Sequence, residues 1–293
     1  MIRVHVPATS ANLGVGYDCL GLALAYEGIF SFSFPEEGIT ISGCPKEFQN
    51  KDNLVLQSFF TALEALGVEE PKGIHLDIQT PVPVARGLGS SASCIVAGVL
   101  AGAAYSGQTL SKEALLRICL LLEHHPDNVA PALYGNLCAS FIDEEEPITA
   151  HFQVHERFRF VTIIPDYEVR TADARAILPD TMHYADATYQ MGRCSALCKA
   201  LETGDGVLLR HACKDRMQEP YRKKLIKDYE DVRSMAYAHG AETFFISGSG
   251  STMIAVMDQK TSEDVTLLFR QRYPNWIILN LSAAKQGGYV EYE

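Results

Sequence analysis

Apolar and polar residues alternate over residues 2–6 and again over 22–34 and 39–42, the period of half-buried strands. The stretch 7–21 is rich in Asn, Ser and Gly and reads as a loop. Over 52–66 the period lengthens to that of a helix. Leu56, Phe59, Phe60 and Leu63 fall on one stripe, Asp52 stands at the N-cap and Gly67 at the stop. Residues 74–78 read as a short strand, and 90–105 as a helix of small side chains that lets other backbone approach closely. Ser111 caps a helix from Lys112 to Glu123, and 137–142 is a strand. The second half predicts a strand at 158–164, helices at 184–203 and 221–239, and strands at 243–247 and 252–257. A helix at 262–273 and a strand at 276–281 follow. Strands and helices mix without strict βαβ alternation, and the gap from Gly248 to Ser251 joins consecutive strands, so the pattern predicts an α+β fold rather than a doubly wound sheet.

The run Asp143-Glu144-Glu145-Glu146-Pro147 is the clearest break, because like charges ending in Pro neither pack nor continue an element. It predicts a boundary between a domain over 1–150 and a second over 151–293. The other reading is an acidic hairpin inside one domain. The length of 293 residues suits two domains, with 47% hydrophobic and 21% charged residues. Lys and Arg number 25 against 36 Asp and Glu, a formal net charge of −11 that repels nucleic acid and anionic membranes at long range. A phosphorylated ligand must therefore be held by a local site. The 8 Cys include no C-x-x-C and no zinc-binding spacing, which suits reduced thiols in a cytosol. Residues 1–7 lack the apolar core of a signal peptide, and the longest apolar stretch, 95–105, is about half the ~20 residues of a membrane span. The expectation is a soluble cytoplasmic protein that binds neither nucleic acid nor membrane.

Four loops carry candidate chemistry. Pro83-Val84-Ala85-Arg86-Gly87-Leu88-Gly89-Ser90-Ser91-Ala92-Ser93 opens a helix. Its two Gly permit close backbone approach, and the amides from Gly89 to Ala92 lie at a helix N-terminus, where orphan N–H groups and the macrodipole favour an anion. The same residues also make an ordinary turn with a Ser N-cap. No Gly-Lys dipeptide occurs, which excludes a Walker A loop, and no third Gly completes a dinucleotide fingerprint. Pro7-Ala8-Thr9-Ser10-Ala11-Asn12-Leu13-Gly14-Val15-Gly16-Tyr17-Asp18 offers Asn12 and Asp18 either for a polar or cationic ligand group or for Asx turns. Ser247-Gly248-Ser249-Gly250-Ser251-Thr252 joins two strands. In Glu123-His124-His125-Pro126-Asp127-Asn128-Val129-Ala130-Pro131, Asp127 is a candidate N-cap, and the adjacent His pair cannot make a helical two-His metal site.

In their order and spacing these four loops resemble those of the GHMP small-molecule kinases, and within that family the branch acting on homoserine. The third motif is usually S-G-S-G-P-T, and here Ser251 replaces the Pro. The resemblance spans residues 7–252. It implies a two-domain α+β fold, with a left-handed βαβ unit in the N-terminal domain, a ferredoxin-like C-terminal domain and the active site between them. ATP is the implied co-substrate, lying over residues 83–93 with Asn53 reaching the adenine. Mg²⁺ is implied at Ser90, with Ser91 the near alternative, and at Glu123, the acid shortly before the H-x-D-N segment. For the acceptor, implied to be L-homoserine phosphorylated on the way to threonine, Asn12, Asp18, His125 and Asp127 are matched contacts. Asp18 suits the ammonium, Arg175 and Arg222 the carboxylate, and Thr171 the hydroxyl, with Gly248 and Gly250 as loop support. Asn128, Asp127 and His125 face the transferred phosphate. Many relatives carry Asp where Asn128 stands, and Asn accepts no proton. The resemblance therefore implies catalysis by positioning and charge neutralisation, with Asp127 as the alternative base. A mevalonate-type kinase and an inactive binding protein are the competing readings, and a homodimer stays open.

Overall fold

The computed structural model describes residues 1–292. The first half comprises β1 (Ile2–Asn12), β2 (Gly16–Ser33), β3 (Gly38–Ser42), α1 (Leu54–Leu66), β4 (Gly73–Gln79), α2 (Ser90–Ser106), α3 (Lys112–Cys119), α4 (Pro126–Tyr134), β5 (Leu137–Asp143) and β6 (Glu146–Phe152). The second comprises β7 (Phe158–Ile164), α5 (Thr171–Ala176), α6 (Tyr184–Thr203), α7 (Gly206–Ala212), α8 (Glu219–Arg222), α9 (Tyr229–Ala238), β8 (Thr243–Ile246), β9 (Met253–Asp258), α10 (Ser262–Arg272), β10 (Ile277–Leu281) and β11 (Tyr289–Tyr292).

One sheet runs β11-β1-β2-β4-β3, with β5 pairing the start of β2 and β6 pairing β5. Only β3 and β4 are parallel in it, so β3-α1-β4 is the βαβ unit. The second sheet is antiparallel in the order β10-β7-β9-β8, the arrangement of a ferredoxin-like β-α-β-β-α-β domain. Along β7, Phe158 and Phe160 point into a middle core shared with Leu13, Leu20, Leu22 and Leu88, while Val161 and Ile163 face an outer core with Val232 and Phe269. That period-two alternation, apolar on both faces, welds the second sheet to the far end of the β1–β2 hairpin. Gly98 carries out the expected close approach: a Cβ there would lie 2.3 Å from Val55 O on α1.

Several elements depart from the sequence pattern. The stretch 7–21 is not a loop, since β1 runs on to Asn12 and β2 starts at Gly16. Thr9 and Ser10 are fully buried there and their strand pairs with Leu22 and Ala23, so its polarity serves the interior. Asn53, not Asp52, caps α1, accepting from Val55 N at 2.9 Å, and α3 ends at Cys119, after which turns carry the chain on to Glu123, Leu121 N donating to Ile118 O and Leu122 N to Cys119 O, both at 3.1 Å. The acidic run is the turn of the β5–β6 hairpin, with Glu144 and Glu145 at φ 46° and 71°, and residue 150 lies inside β6, so this run separates no domains. The helix expected over 221–239 breaks after Arg222, where buried Ile226 turns extended and packs beside Gly250. Strand β11, absent from the pattern, returns to the first sheet beside β1.

Candidate active site

The β1–β2 hairpin ends in a strained tip. Asn12, Leu13 and Asp18 adopt φ of 72°, 44° and 54°, a left-handed conformation that other bonds must hold. Asn12 supplies two of them: its Oδ1 accepts from Asp18 N at 2.9 Å and its Nδ2 donates to Gly248 O at 3.1 Å. Buried at 3% exposure, Asn12 fastens the site rather than opening onto it.

Asp18 is thereby fixed with its carboxylate toward Arg175, which donates from Nη1 at 3.0 Å and Nη2 at 3.3 Å. His125 Nδ1 lies 3.7 Å from the same carboxylate. Arg175 Nη1 also donates to the Tyr17 hydroxyl at 3.2 Å. Arg222, only 2% exposed, donates to Ala174 O at 3.1 Å, Gln218 Oε1 at 2.5 Å and Gly248 O at 2.9 Å, and its guanidinium sits 5.0 Å from the centre of the Tyr17 ring. No carboxylate pairs with it among the described residues. Burial lowers its pKa, against the nearby charges of Tyr17, Asp18 and Asp127.

Helix α4 begins against β2 because Gly21 admits it: a Cβ there would lie 1.8 Å from Asp127 O. His125 occupies the N-cap with Pro126 at the first helical position, so Asp127 is not the cap. Asp127 is 6% exposed, and its pKa is raised from 3.8 to about 7 by burial first and then by the charges of Asp18 and Glu123. Asn128 Oδ1 accepts from Thr9 Oγ1 at 2.8 Å, and its Nδ2 lies 3.5 Å from Asp127 Oδ1. Asp18, Asp127, Arg175 and Arg222 thus share one electrostatic centre.

The glycine loop borders this centre. Gly87 and Gly89 take φ of 75° and 65°, and a Cβ on Gly89 would lie 1.9 Å from Thr9 Oγ1 and 3.2 Å from Asn128 Oδ1. The loop is laced to the 247–252 loop: Ser247 Oγ bonds Gly87 O at 2.5 Å and Ser10 Oγ at 2.8 Å, and Thr252 N donates to Arg86 O at 3.2 Å. Arg86 is tied to Glu168 at 2.9 Å. Leu88 and Ala92 are buried, and Ser93 turns inward to Pro7 O at 3.3 Å. Pro83, Val84, Ala85, Ser90 and Ser91 retain exposure, and the hydroxyls of Ser90 and Ser91 find no hydrogen-bond partner among the described residues. Gly248 donates its N–H to Ala11 O at 3.1 Å, and Gly250 donates to Ser247 O at 2.9 Å. Thr171 lies exposed with its hydroxyl 3.5 Å from that of Ser249. Glu123, half-buried, accepts from His124 N at 2.9 Å. Asn53 uses Oδ1 for its cap and one Nδ2 hydrogen for Phe48 O at 2.9 Å, so an adenine contact would fall to the second Nδ2 hydrogen or the remaining lone pair of its oxygen.

The model of the GHMP kinases N terminal domain matches residues 53–136, and that of the GHMP kinases C terminal domain residues 197–275. Over 293 residues the chain is 36% identical to a protein of Clostridium botulinum named homoserine kinase, covering 99% of this chain and 98% of that one. The chain belongs to the GHMP kinase family. A homoserine kinase of Clostridium beijerinckii is 37% identical over 294 residues, covering 99% of this chain and 98% of its own. The crystal structure of a homoserine kinase from Cytophaga hutchinsonii superposes with a TM-score of 0.86 at 30% identity, covering 99% of this chain and 97% of that one. Membership makes this an ATP-dependent kinase of the two-part α+β fold described above. No helix among the described residues is long and apolar enough to cross a membrane.

Three residues of this GHMP kinase site escaped the motif reading. Tyr17 and Thr9 lie inside the first motif, where only side chains with evident charge or amide chemistry stood out. Gln218 had no signal beyond its place four residues before Arg222, one helical turn away.

Proposed function

We propose that this chain is a homoserine kinase, transferring the γ-phosphoryl group of ATP to the hydroxyl of L-homoserine to give O-phospho-L-homoserine and ADP. The observation that carries this reading is the Asp18–Arg175 ion pair, with Arg222 buried beside it and lacking a carboxylate. An α-amino acid is a zwitterion. It can enter such a pair with its ammonium on Asp18, near His125, and its carboxylate on Arg175 and Arg222, so that each charge of the substrate meets an opposite one. That orientation sends the side-chain hydroxyl toward Asn128, Asp127 and Thr171. Residues 83–93 are then the nucleotide segment, with Ser90 and Ser91 offering free hydroxyls at the start of a 17-residue helix. Among the described residues no group of three or more His, Cys, Asp or Glu could hold a metal alone. Mg²⁺ takes one or two protein carboxylates and completes its shell with phosphate oxygens and water. Ser90 and Glu123 are the residues that would hold it, and it would neutralise charge on the transferring phosphoryl group. The acceptor oxygen bonds to the γ-phosphorus, the bond to ADP breaks, and the hydroxyl proton passes to phosphate or water. Asn128, its carbonyl held by Thr9, orients the hydroxyl. The eight unpaired Cys suit a reducing cytosol, which supports a cytoplasmic location.

The test is ADP release across homoserine, its carboxylate-free analogue 3-amino-1-propanol, mevalonate, galactose and shikimate. Homoserine should turn over fastest. Loss of the carboxylate should cost on the order of 2–5 kcal/mol, about 30- to 5,000-fold in kcat/KM. Equal rates on the analogue would remove Arg175 and Arg222 from substrate recognition, and preference for mevalonate would replace the reading.

Asp127 separates positioning from general-base catalysis. In the free enzyme its carboxyl releases its proton at about pH 7, and an ionised Asp127 favours a substrate carrying an ammonium. The kcat/KM for homoserine should therefore rise as pH climbs through about 7. Asp127→Asn should abolish that limb while kcat stays within roughly 10²-fold, whereas a ~10⁴-fold loss of kcat would identify Asp127 as the base. The sign for stability is opposite. Between about pH 4 and 7 the folded state keeps a proton that the unfolded chain has released, so the wild type loses stability across that interval and Asp127→Asn does not.

A further inference from the structure

We propose that Tyr17 is the positioning residue of the acceptor site: its hydroxyl holds Arg175 beside Asp18, its ring carries Arg222, and it keeps the two guanidiniums paired when substrate separates Asp18 from Arg175. This rests on the zwitterion reading above.

Arg175 lies on the six-residue α5, its side chain 40% exposed, and among the described residues its side-chain hydrogen-bond acceptors are Asp18 and Tyr17. A substrate ammonium on Asp18 competes for the carboxylate that holds Arg175. The Tyr17 hydroxyl is then the acceptor that remains. That hydroxyl accepts from Arg175 Nη1 at 3.2 Å, on the same guanidinium nitrogen that donates to Asp18 Oδ2 at 3.0 Å. Burial and the charge of Asp18 raise its pKa, so the phenol stays protonated and keeps its bond to Arg175 across the neutral range. Its ring lies 5.0 Å from the guanidinium of Arg222, which spans the second side of the same carboxylate site. One side chain thus sets the separation of both guanidiniums and of the ammonium acceptor.

The backbone beneath Tyr17 is built for this role. Gln190 Nε2 donates to Val15 O at 2.9 Å, and Gln218 Nε2 donates to Gly14 O at 2.9 Å, pinning the turn just before Tyr17 from two buried directions. Gln218 is fully buried, and its other end accepts from Arg222 Nη1 at 2.5 Å, so Arg222 and the Tyr17 turn share one anchor. A tyrosine serving only as packing would need neither its hydroxyl on Arg175 nor a scaffold common to the arginine it faces.

The experiment measures steady-state kinetics of wild type, Tyr17→Phe, Arg175→Met and the double variant, with melting curves for each. Tyr17→Phe keeps the ring and removes the hydroxyl. It should raise KM for homoserine roughly 10- to 100-fold, the size of a hydrogen bond to a charged group. Its kcat should fall less than about three-fold, KM for ATP should stay unchanged, and the melting temperature should match the parent's. In the Arg175→Met background the same change should have no further effect, because the hydroxyl acts through Arg175. Unchanged KM for homoserine in Tyr17→Phe, a parallel rise in KM for ATP, or full additivity in the double variant would each overturn the proposal. Failure of the wild type to turn over homoserine at all would overturn the functional reading and this inference with it.

Discussion

Gly89→Val should abolish productive nucleotide binding while leaving the fold in place. Two independent costs meet at this position. Its φ of 65° is left-handed, which costs an L-residue about 1–2 kcal/mol and more when it is β-branched. Its Cβ would also sit 1.9 Å from Thr9 Oγ1 and 3.2 Å from Asn128 Oδ1. Relief requires either the start of α2 to move, which shifts the amides of the phosphate site, or Thr9 to move, which breaks the Thr9–Asn128 bond that aims the acceptor site. Misaligned donors at a phosphate site cost on the order of 10²–10³-fold in kcat each, so the combined loss in kcat/KM should exceed 10³-fold. Gly89 stands outside the three apolar cores, so far-UV circular dichroism should be unchanged. The measurement is nucleotide titration alongside the steady-state assay. Normal ATP affinity in the variant would return the loop to a plain turn.

Arg222→Met should reduce kcat/KM for homoserine on the order of 10³-fold and leave KM for ATP within a few-fold. Truncation leaves the substrate carboxylate without one partner in a desolvated place. It also strips donors from Ala174 O, Gln218 Oε1 and Gly248 O, so the melting temperature should fall by several degrees. Arg222→Lys separates the two effects. Lysine restores the charge but not a planar fork that reaches three acceptors at once, so activity should recover about ten-fold and no more. Full recovery would mean that charge alone is read. Paired assays with homoserine and its carboxylate-free analogue check the assignment, because the analogue should be indifferent to both variants.

The elements most legible in the chain were those whose own period decides them. Helix α6 spans Tyr184–Thr203 as its pattern predicts, and the β7–β10 strands fall within a residue or two of expectation. Less legible were segments whose polarity belongs to tertiary partners. Thr9, Ser10 and Asn12 look like a loop because nothing local shows that Ser247 and Gly248 will arrive from the other half. Pairing across 236 or 237 positions leaves no mark on a hydrophobic pattern. The acidic turn misled for the converse reason: like charges are as comfortable at an exposed hairpin tip as at a domain boundary. In the site, the glycine loop and the charged residues of the motifs were readable because their chemistry is carried by residue type. Tyr17 and Gln218 were not, since a tyrosine becomes a bridge and a glutamine an anchor only when two guanidiniums are brought to them.

Strand β11 joins β1 after the chain has completed the second sheet, so the polypeptide passes between the two sheets twice, across 153–157 and again across 282–288. The second passage is stitched down along its length: Ala25 N to Ser282 O at 2.9 Å, Ala284 N to Ala23 O at 2.9 Å, Asn136 N to Ala284 O at 2.7 Å and Gly288 N to Ala132 O at 2.7 Å. Two halves linked by one strand can swivel about it, but two links define an axis. With the shared middle core between them, the two crossings hold the arginines of one half in fixed register with the glycine loop of the other. A kinase that must bring a phosphate and an alcohol to within bonding distance thus has the placement of its two binding segments set by chain connectivity, before any ligand contributes a contact.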